Sequence, residues 1–379
     1  EDAESDSNVV IGYEAAFNTN NQNMDENVFI GKRSGGGQWA GIGRFNVAVG
    51  KDSMSGGISG ADNNVALGHS ALAAVVGGDN NVAVGSGAAK AILKGVDNVA
   101  IGMNAMTALA GDVADNGGIR NIAIGREAMG AVNPGTHDSA LADDNIAIGY
   151  QALKGASFVG EDKDLKNNIA IGTYALTSTG TNAQNGTVAI GYSALIALTS
   201  GAANTAIGYQ AAAELSDNSH NTVVGYQAMY RSGATTYYNT FIGSQSGSGD
   251  WATSPHSNTA VGAATMTGVM TDAAIGNVAV GRDSLYAVTS GASNTAVGYL
   301  AGNAITTGLN NTIVGKGSNP SANNATNQTI IGFGTTGISD NSVVLGNHVV
   351  KDVYMGSDSG AVVHSGALVN GLSAILLTT

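Results

Sequence analysis

The chain has 379 residues, with 56 glycines, 3 prolines, no cysteine and only 11% charged residues. Without cysteine there is no disulfide framework and no thiolate nucleophile or metal ligand, so stability must come from packing. The net charge of −13 disfavours nucleic acid as a partner, and no apolar run is long enough to insert in a membrane.

Residues 1–7, EDAESDS, read as an acidic lead-in. From Asn8 onward one phrase recurs, as in NTAIGYQA and NTVVGYQA at 204–211 and 221–228. Its glycine stands at Gly12, Gly31, Gly50, Gly68, Gly85, Gly102, Gly125, Gly149, Gly172, Gly191, Gly208, Gly225, Gly243, Gly262, Gly281, Gly298, Gly315, Gly332 and Gly346. Most spacings are 17 to 19 residues, but the three from Gly102 to Gly172 are 23 or 24 and the last is 14.

Positions are counted from this glycine. Position −4 is asparagine in sixteen copies: Asn8, Asn27, Asn46, Asn64, Asn81, Asn98, Asn121, Asn145, Asn168, Asn204, Asn221, Asn239, Asn258, Asn277, Asn294 and Asn311. Thr187, Gln328 and Ser342 are the exceptions. Position −3 is always β-branched, −2 is apolar and mostly alanine, −1 is Ile, Val or Leu, and +3 is small in every copy but the last.

Fixed β-branched positions favour an extended strand, whose side chains alternate between two faces. All three strand positions are apolar, so the expectation is burial on both faces. The glycine permits positive φ or close backbone approach, and the small +3 residue predicts a second strand returning across the first. One such coil cannot bury its own apolar face, whereas stacked coils can. The fold expected is therefore an all-β parallel β-solenoid or β-roll of about 19 short coils. At about 4.8 Å per layer it forms a rod of roughly 85 Å, with the asparagines in a ladder. An outward Val/Thr/Ile stripe would aggregate unless covered, which predicts association of identical chains.

The repeat shaft spans 8–346, with longer loops within 103–167. Those loops fall at equivalent points and carry Asp112, Asp115, Asp138, Asp143, Asp144, Glu161, Asp162 and Asp164, candidates for a receptor- or cation-binding ridge. Ordinary polar surface loops would look the same. The 230–257 region offers Tyr230, Tyr237, Tyr238 and Trp251 as aromatic contacts for sugars, or as packing. Residues 347–379 leave the repeat and read as a C-terminal cap or stem.

Enzymatic chemistry finds no support here. Gly332–Gly337 matches G-x-G-x-x-G, but another strand follows where a dinucleotide site needs a helix. The six histidines are scattered, without zinc spacing. Asp-Asn-Asn at 62–64 and 79–81 reads as turn chemistry. No catalytic residue, metal ligand or cofactor is expected, beyond an incidental divalent cation.

The phrases NTAIGYQA, NVAIG, NIAIG and NTAVG resemble the head repeats of trimeric autotransporter adhesins. They are closer still in spelling to repeats in tail fibres of bacteriophages of marine and cyanobacterial hosts. Residues 341–366, NSVVLGNHVVKDVYMGSDSGAVVHSG, resemble the stretch that precedes the self-cleaving chaperone domain of many such fibres. The resemblance implies a left-handed β-roll assembled as a homotrimer. It further implies the shaft of a viral tail fibre, located in the virion and attaching to a host receptor such as a glycan. Neither a membrane-anchor barrel nor a chaperone domain is expected within these residues. The alternatives are a bacterial trimeric surface adhesin or extracellular filament and, in another class, an ice-binding single-chain β-solenoid. That last needs a regular Thr array, and Thr fills −3 in seven of nineteen copies.

Overall fold

The computed structural model describes residues 7–19, 24–109, 118–132, 142–155, 164–179, 184–231, 235–251, 253–351 and 353. Each repeat supplies one three-residue strand at positions −3 to −1, from Val9–Ile11 to Val343–Leu345. These form one 19-stranded sheet in which each strand pairs in parallel with its neighbours in the repeat order. Register is strict: Ile122, Ile146, Ile169 and Val188 align in one column, and Ala123, Ala147, Ala170 and Ala189 in the next. The molecule is an all-β parallel β-solenoid, with no helix among the described residues.

The small −2 residue points inward. Ala48, Ala66, Ala83, Ala123 and Ala147 have no exposed surface. The β-branched −3 residues are half-buried, except for the exposed Val9, Thr312 and Val343. Many −1 residues, among them Leu67, Ile101, Ile207, Val261 and Ile331, are 36–44% exposed. Burial on both strand faces, expected from the apolar columns, is thus not met within one chain. The −2 column faces the core whatever its size, since Phe29, Phe241, Ile313 and Ile330 are as fully buried as the alanines, and the β-branched −3 and aliphatic −1 residues lie on the outer face.

The returning second strand is also corrected. After the glycine the chain makes turns whose +2 and +4 residues take left-handed φ, as at Ser70 (56°) and Leu72 (46°). Their amides still bond from coil to coil, Ser70 N–H to the Lys51 carbonyl (2.9 Å) and Leu72 N–H to the Ala88 carbonyl (3.0 Å). The layer is therefore a stacked ribbon of turns. Left-handed φ disfavours a residue with a Cβ by about 1 kcal/mol. Burial of Leu72, Leu153 or Leu195 in the core offsets this by about 2 kcal/mol each.

The repeat glycines meet both demands expected of them. Gly85 has φ +132°, and a Cβ there would lie 2.6 Å from the carbonyl oxygen of Gly102 in the next coil. The residue before the ladder asparagine is also left-handed, with φ 60° at Asn63 and 58° at Asn80. This accounts for the Asp-Asn-Asn phrases as turns.

At the corner preceding the sheet, short strands pair in two places. Met24–Asp25 pairs with Gly43–Arg44, and Ala142–Asp143, Leu165–Lys166 and Gln184–Asn185 form a second group. Leu109 and Val132, each seven residues after the glycine of its coil, are both buried. Of the cap or stem at 347–379, residues from 354 onward lie outside the described residues. Val349 and Val353 are exposed.

Candidate functional site

Within the roll, the asparagines form a hydrogen-bonded column. Asn98 donates through Nδ2 to Asn81 Oδ1 (3.0 Å) and to the Gly118 carbonyl (2.8 Å). Its own Oδ1 accepts from the backbone N–H (3.0 Å) and the Nδ2 (3.1 Å) of Asn121. Every polar atom of the buried amide is satisfied, which only a carbonyl and an NH₂ on one short side chain can achieve. The column begins at Asn8, whose Oδ1 accepts from Asn27, and ends where Gln328 N–H donates to Asn311 Oδ1.

The column breaks at Thr187. Its N–H still donates to Asn168 Oδ1 (3.0 Å), but its Oγ1 is buried with no hydrogen-bond partner. Gln184 Oε1 and Thr179 Oγ1, from the same stretch, are likewise buried and unpaired. Asn204 resumes the pattern through the Asn218 carbonyl (2.6 Å).

Outside the roll, columns −3 and −1 make a continuous stripe of Val, Thr, Ile and Leu along the sheet. Threonine fills −3 at Thr205, Thr222, Thr240, Thr259, Thr295, Thr312 and Thr329, half-buried except for the exposed Thr312. A half-exposed apolar stripe of this length is a candidate interaction surface.

Among the acidic-ridge residues, Asp112, Asp115, Asp138, Glu161 and Asp162 lie outside the described residues. Of the other three, Asp143 and Asp144 bond between coils and Asp164 pairs within its own. Asp143 is buried and accepts the Ile119 N–H at 2.9 Å, and burial raises its pKa above the usual carboxylate value. Asp144 accepts from Arg120 Nε and Nη2 at 2.6 and 2.8 Å, and those bonds lower its pKa despite partial desolvation. Asp164 pairs with Lys166 at 3.2 Å. No group of three or more His, Asp or Glu side chains is arranged for a metal ion among the described residues.

A second charged column lies near the first coils, where Arg33 Nε is 3.1 Å from Asp52 and 3.9 Å from Glu14. Lys51 Nζ also reaches Asp52, at 3.2 Å. Glu14, Arg33 and Asp52 border a cleft of about 320 Å³ that also includes Phe17 and Ser55.

Of the aromatic candidates, Trp251 is a core residue, 1% exposed, with its ring 5.4 Å from Phe241 and its Nε1 donating to the Gly268 carbonyl. Tyr230 is half-buried. Tyr237 and Tyr238 are exposed (38% and 59%) and stand in a cluster with His220 and His256. The tyrosines after the repeat glycine were missed in the sequence. Tyr192, Tyr209 and Tyr226 stack with centroids 5.2 and 5.5 Å apart and planes within 12°, and Tyr150 and Tyr174 extend the column. The signal was the Gly-Tyr pair repeated at 191–192, 208–209 and 225–226.

The G-x-G-x-x-G match at Gly332–Gly337 leads into the strand Val343–Leu345, with no helix to hold a pyrophosphate. The fold thus defines the protein as a repeat solenoid built on an asparagine column. No family model matches the chain, and no curated protein sequence is significantly similar to it.

Proposed function

We propose that this chain is a structural fibre protein, the shaft of a viral tail fibre that mediates attachment to a host cell. Three chains assemble side by side, with the −3 and −1 columns turned toward one another. The observation that carries this reading is the half-exposed aliphatic stripe on the sheet, from Leu67 through Ile207 to Ile331. Repeating coils supply length, and the asparagine column resists local opening. The role is mechanical and adhesive rather than catalytic. The number three and the virion location rest on the resemblance of the NTAIG repeats to fibre and adhesin repeats. A bacterial surface adhesin or extracellular filament would have the same architecture. Flanking sequence distinguishes it, through a secretion signal and outer-membrane anchor rather than a virion-attachment region.

Light scattering on the intact chain tests assembly. Three times the chain mass of 37.6 kDa supports the fibre, and a stable monomer overturns it. Immunogold labelling of virions with an antibody to the chain tests the location.

The outward threonine column supports a second reading, an ice-binding solenoid, because a monomer would present Thr205 to Thr329 to water along a parallel sheet. Thermal hysteresis by the monomer would favour it, and its absence removes it.

A further inference from the structure

We infer that His220, Tyr237, Tyr238 and His256 form a lateral pad that binds an uncharged saccharide. The inference deepens the attachment reading and rests on it. The four rings come from three successive coils and form one continuous chain of contacts. His220 lies 5.0 Å from Tyr238, Tyr238 lies 5.6 Å from Tyr237 in an edge arrangement (89°), and Tyr237 stacks on His256 at 4.7 Å. Tyr238 and His220 occupy position −5, and Tyr237 and His256 position −6. The pad thus lies on the corner before the sheet, beside the aliphatic stripe, and is two columns wide.

Packing does not account for these rings. The nearby Trp251 shows what a core aromatic looks like here, at 1% exposure, whereas Tyr238 is 59% exposed. The tyrosine column at 192–226 is also exposed, but its rings lie nearly parallel and cover one another's faces. In the pad, His256 covers one face of Tyr237 (12° between planes) and His220 tilts against Tyr238 (33°), but the two tyrosines are perpendicular and do not cover each other.

The surrounding chemistry selects the partner. The segment 232–249 contains no charged residue, and Asp217 in the preceding coil is engaged by Thr199 and Ser200. A cation would find no carboxylate there, and an anion no Lys or Arg within that segment. Aromatic faces take the C–H face of a pyranose ring, while phenol and imidazole groups with Ser257, bonded to His256 Nδ1 at 3.2 Å, supply hydroxyl partners.

The test applies the full chain to an array of neutral and acidic oligosaccharides, beside Tyr237→Ala/Tyr238→Ala and a control, Tyr209→Ala. The expected result is retention on neutral hexose oligosaccharides, at least tenfold weaker for the pad variant and unchanged for the control. Circular dichroism and solution mass check that each variant keeps its fold and assembly, and Tyr238→Phe should keep most of the binding. No retention on any neutral glycan, equal loss in the control, or no loss in the pad variant overturns the inference. Host-cell adsorption that survives the pad variant overturns the pad and leaves the attachment reading standing. A monomeric mass instead removes the fibre reading.

Discussion

A Cβ placed on Gly247 would stand 2.6 Å from Cδ1 of Phe241, so the ring fills the space that a +4 side chain takes in other coils. Gly35 faces Phe29 in the same way, and Trp39 and Trp251 stand eight residues after the glycine of their coils. Where −2 is alanine, +4 is commonly leucine or methionine, as in the Ala66–Leu72 and Ala123–Met129 coils.

This exchange predicts strong coupling. Phe241→Ala alone should cost about 3–5 kcal/mol, by leaving a cavity. Gly247→Leu alone should clash with the ring and cost at least about 1–3 kcal/mol. The double variant restores the Ala/Leu pattern, and leucine tolerates left-handed φ at Leu72. Its loss in chemical denaturation should therefore be well below the sum of the singles. Additive losses would refute the volume exchange.

The asparagine column predicts opposite effects at two positions. Asn121→Leu leaves the N–H and Nδ2 of Asn145 and the Ala142 carbonyl without their partner. It should cost at least about 2 kcal/mol. Thr187→Asn removes an unpaired hydroxyl and supplies the missing amide, and should add roughly 1 kcal/mol. Hydrogen exchange should show slower opening at 187–207 in that variant. Faster opening would mean that the break is not a defect of the column.

Asp143 and Asp144 respond oppositely to pH. Burial raises the folded-state pKa of Asp143, so the folded chain binds its proton more readily than the unfolded chain. Stability from this group is present at low pH and is lost as pH rises from the ordinary carboxylate value through the raised one. Asp143→Asn keeps an acceptor for the Ile119 N–H, and should stabilise the protein at neutral pH while removing that loss. The folded-state pKa of Asp144 is lowered by Arg120, so its small contribution is present above the ordinary value and disappears on acidification. Melting curves across acid to neutral pH check both signs.

Charging the outward stripe tests what covers it. Ile207→Asp with Val261→Asp should reduce an assembled particle to single chains, since both positions are only 36% exposed yet point away from the core. The monomer's sheet should persist by circular dichroism, because column −2 is untouched. An unchanged mass would place the contacts between chains elsewhere.

Much of this molecule was legible in its period. Asparagine, a β-branched residue and glycine recur at one spacing because each copy is one layer, and stacking identical layers aligns identical side chains. The solenoid, its strand positions, the glycine approach and the asparagine column follow from that repetition. Which face is inside does not. Period-two alternation defines two faces without ranking them, and the folded roll puts the −2 column within, on the side of the buried asparagines, and the Val/Ile columns without. Left-handed turns replaced the expected second strand because a short coil must reverse direction while keeping its amides bonded to neighbouring layers. The pad of His220, Tyr237, Tyr238 and His256, like the pairing of Phe241 with Gly247, depends on how coils stack and turn back on themselves. Residues distant along the chain became neighbours only when the layers set their register, and that is a property of the tertiary structure alone.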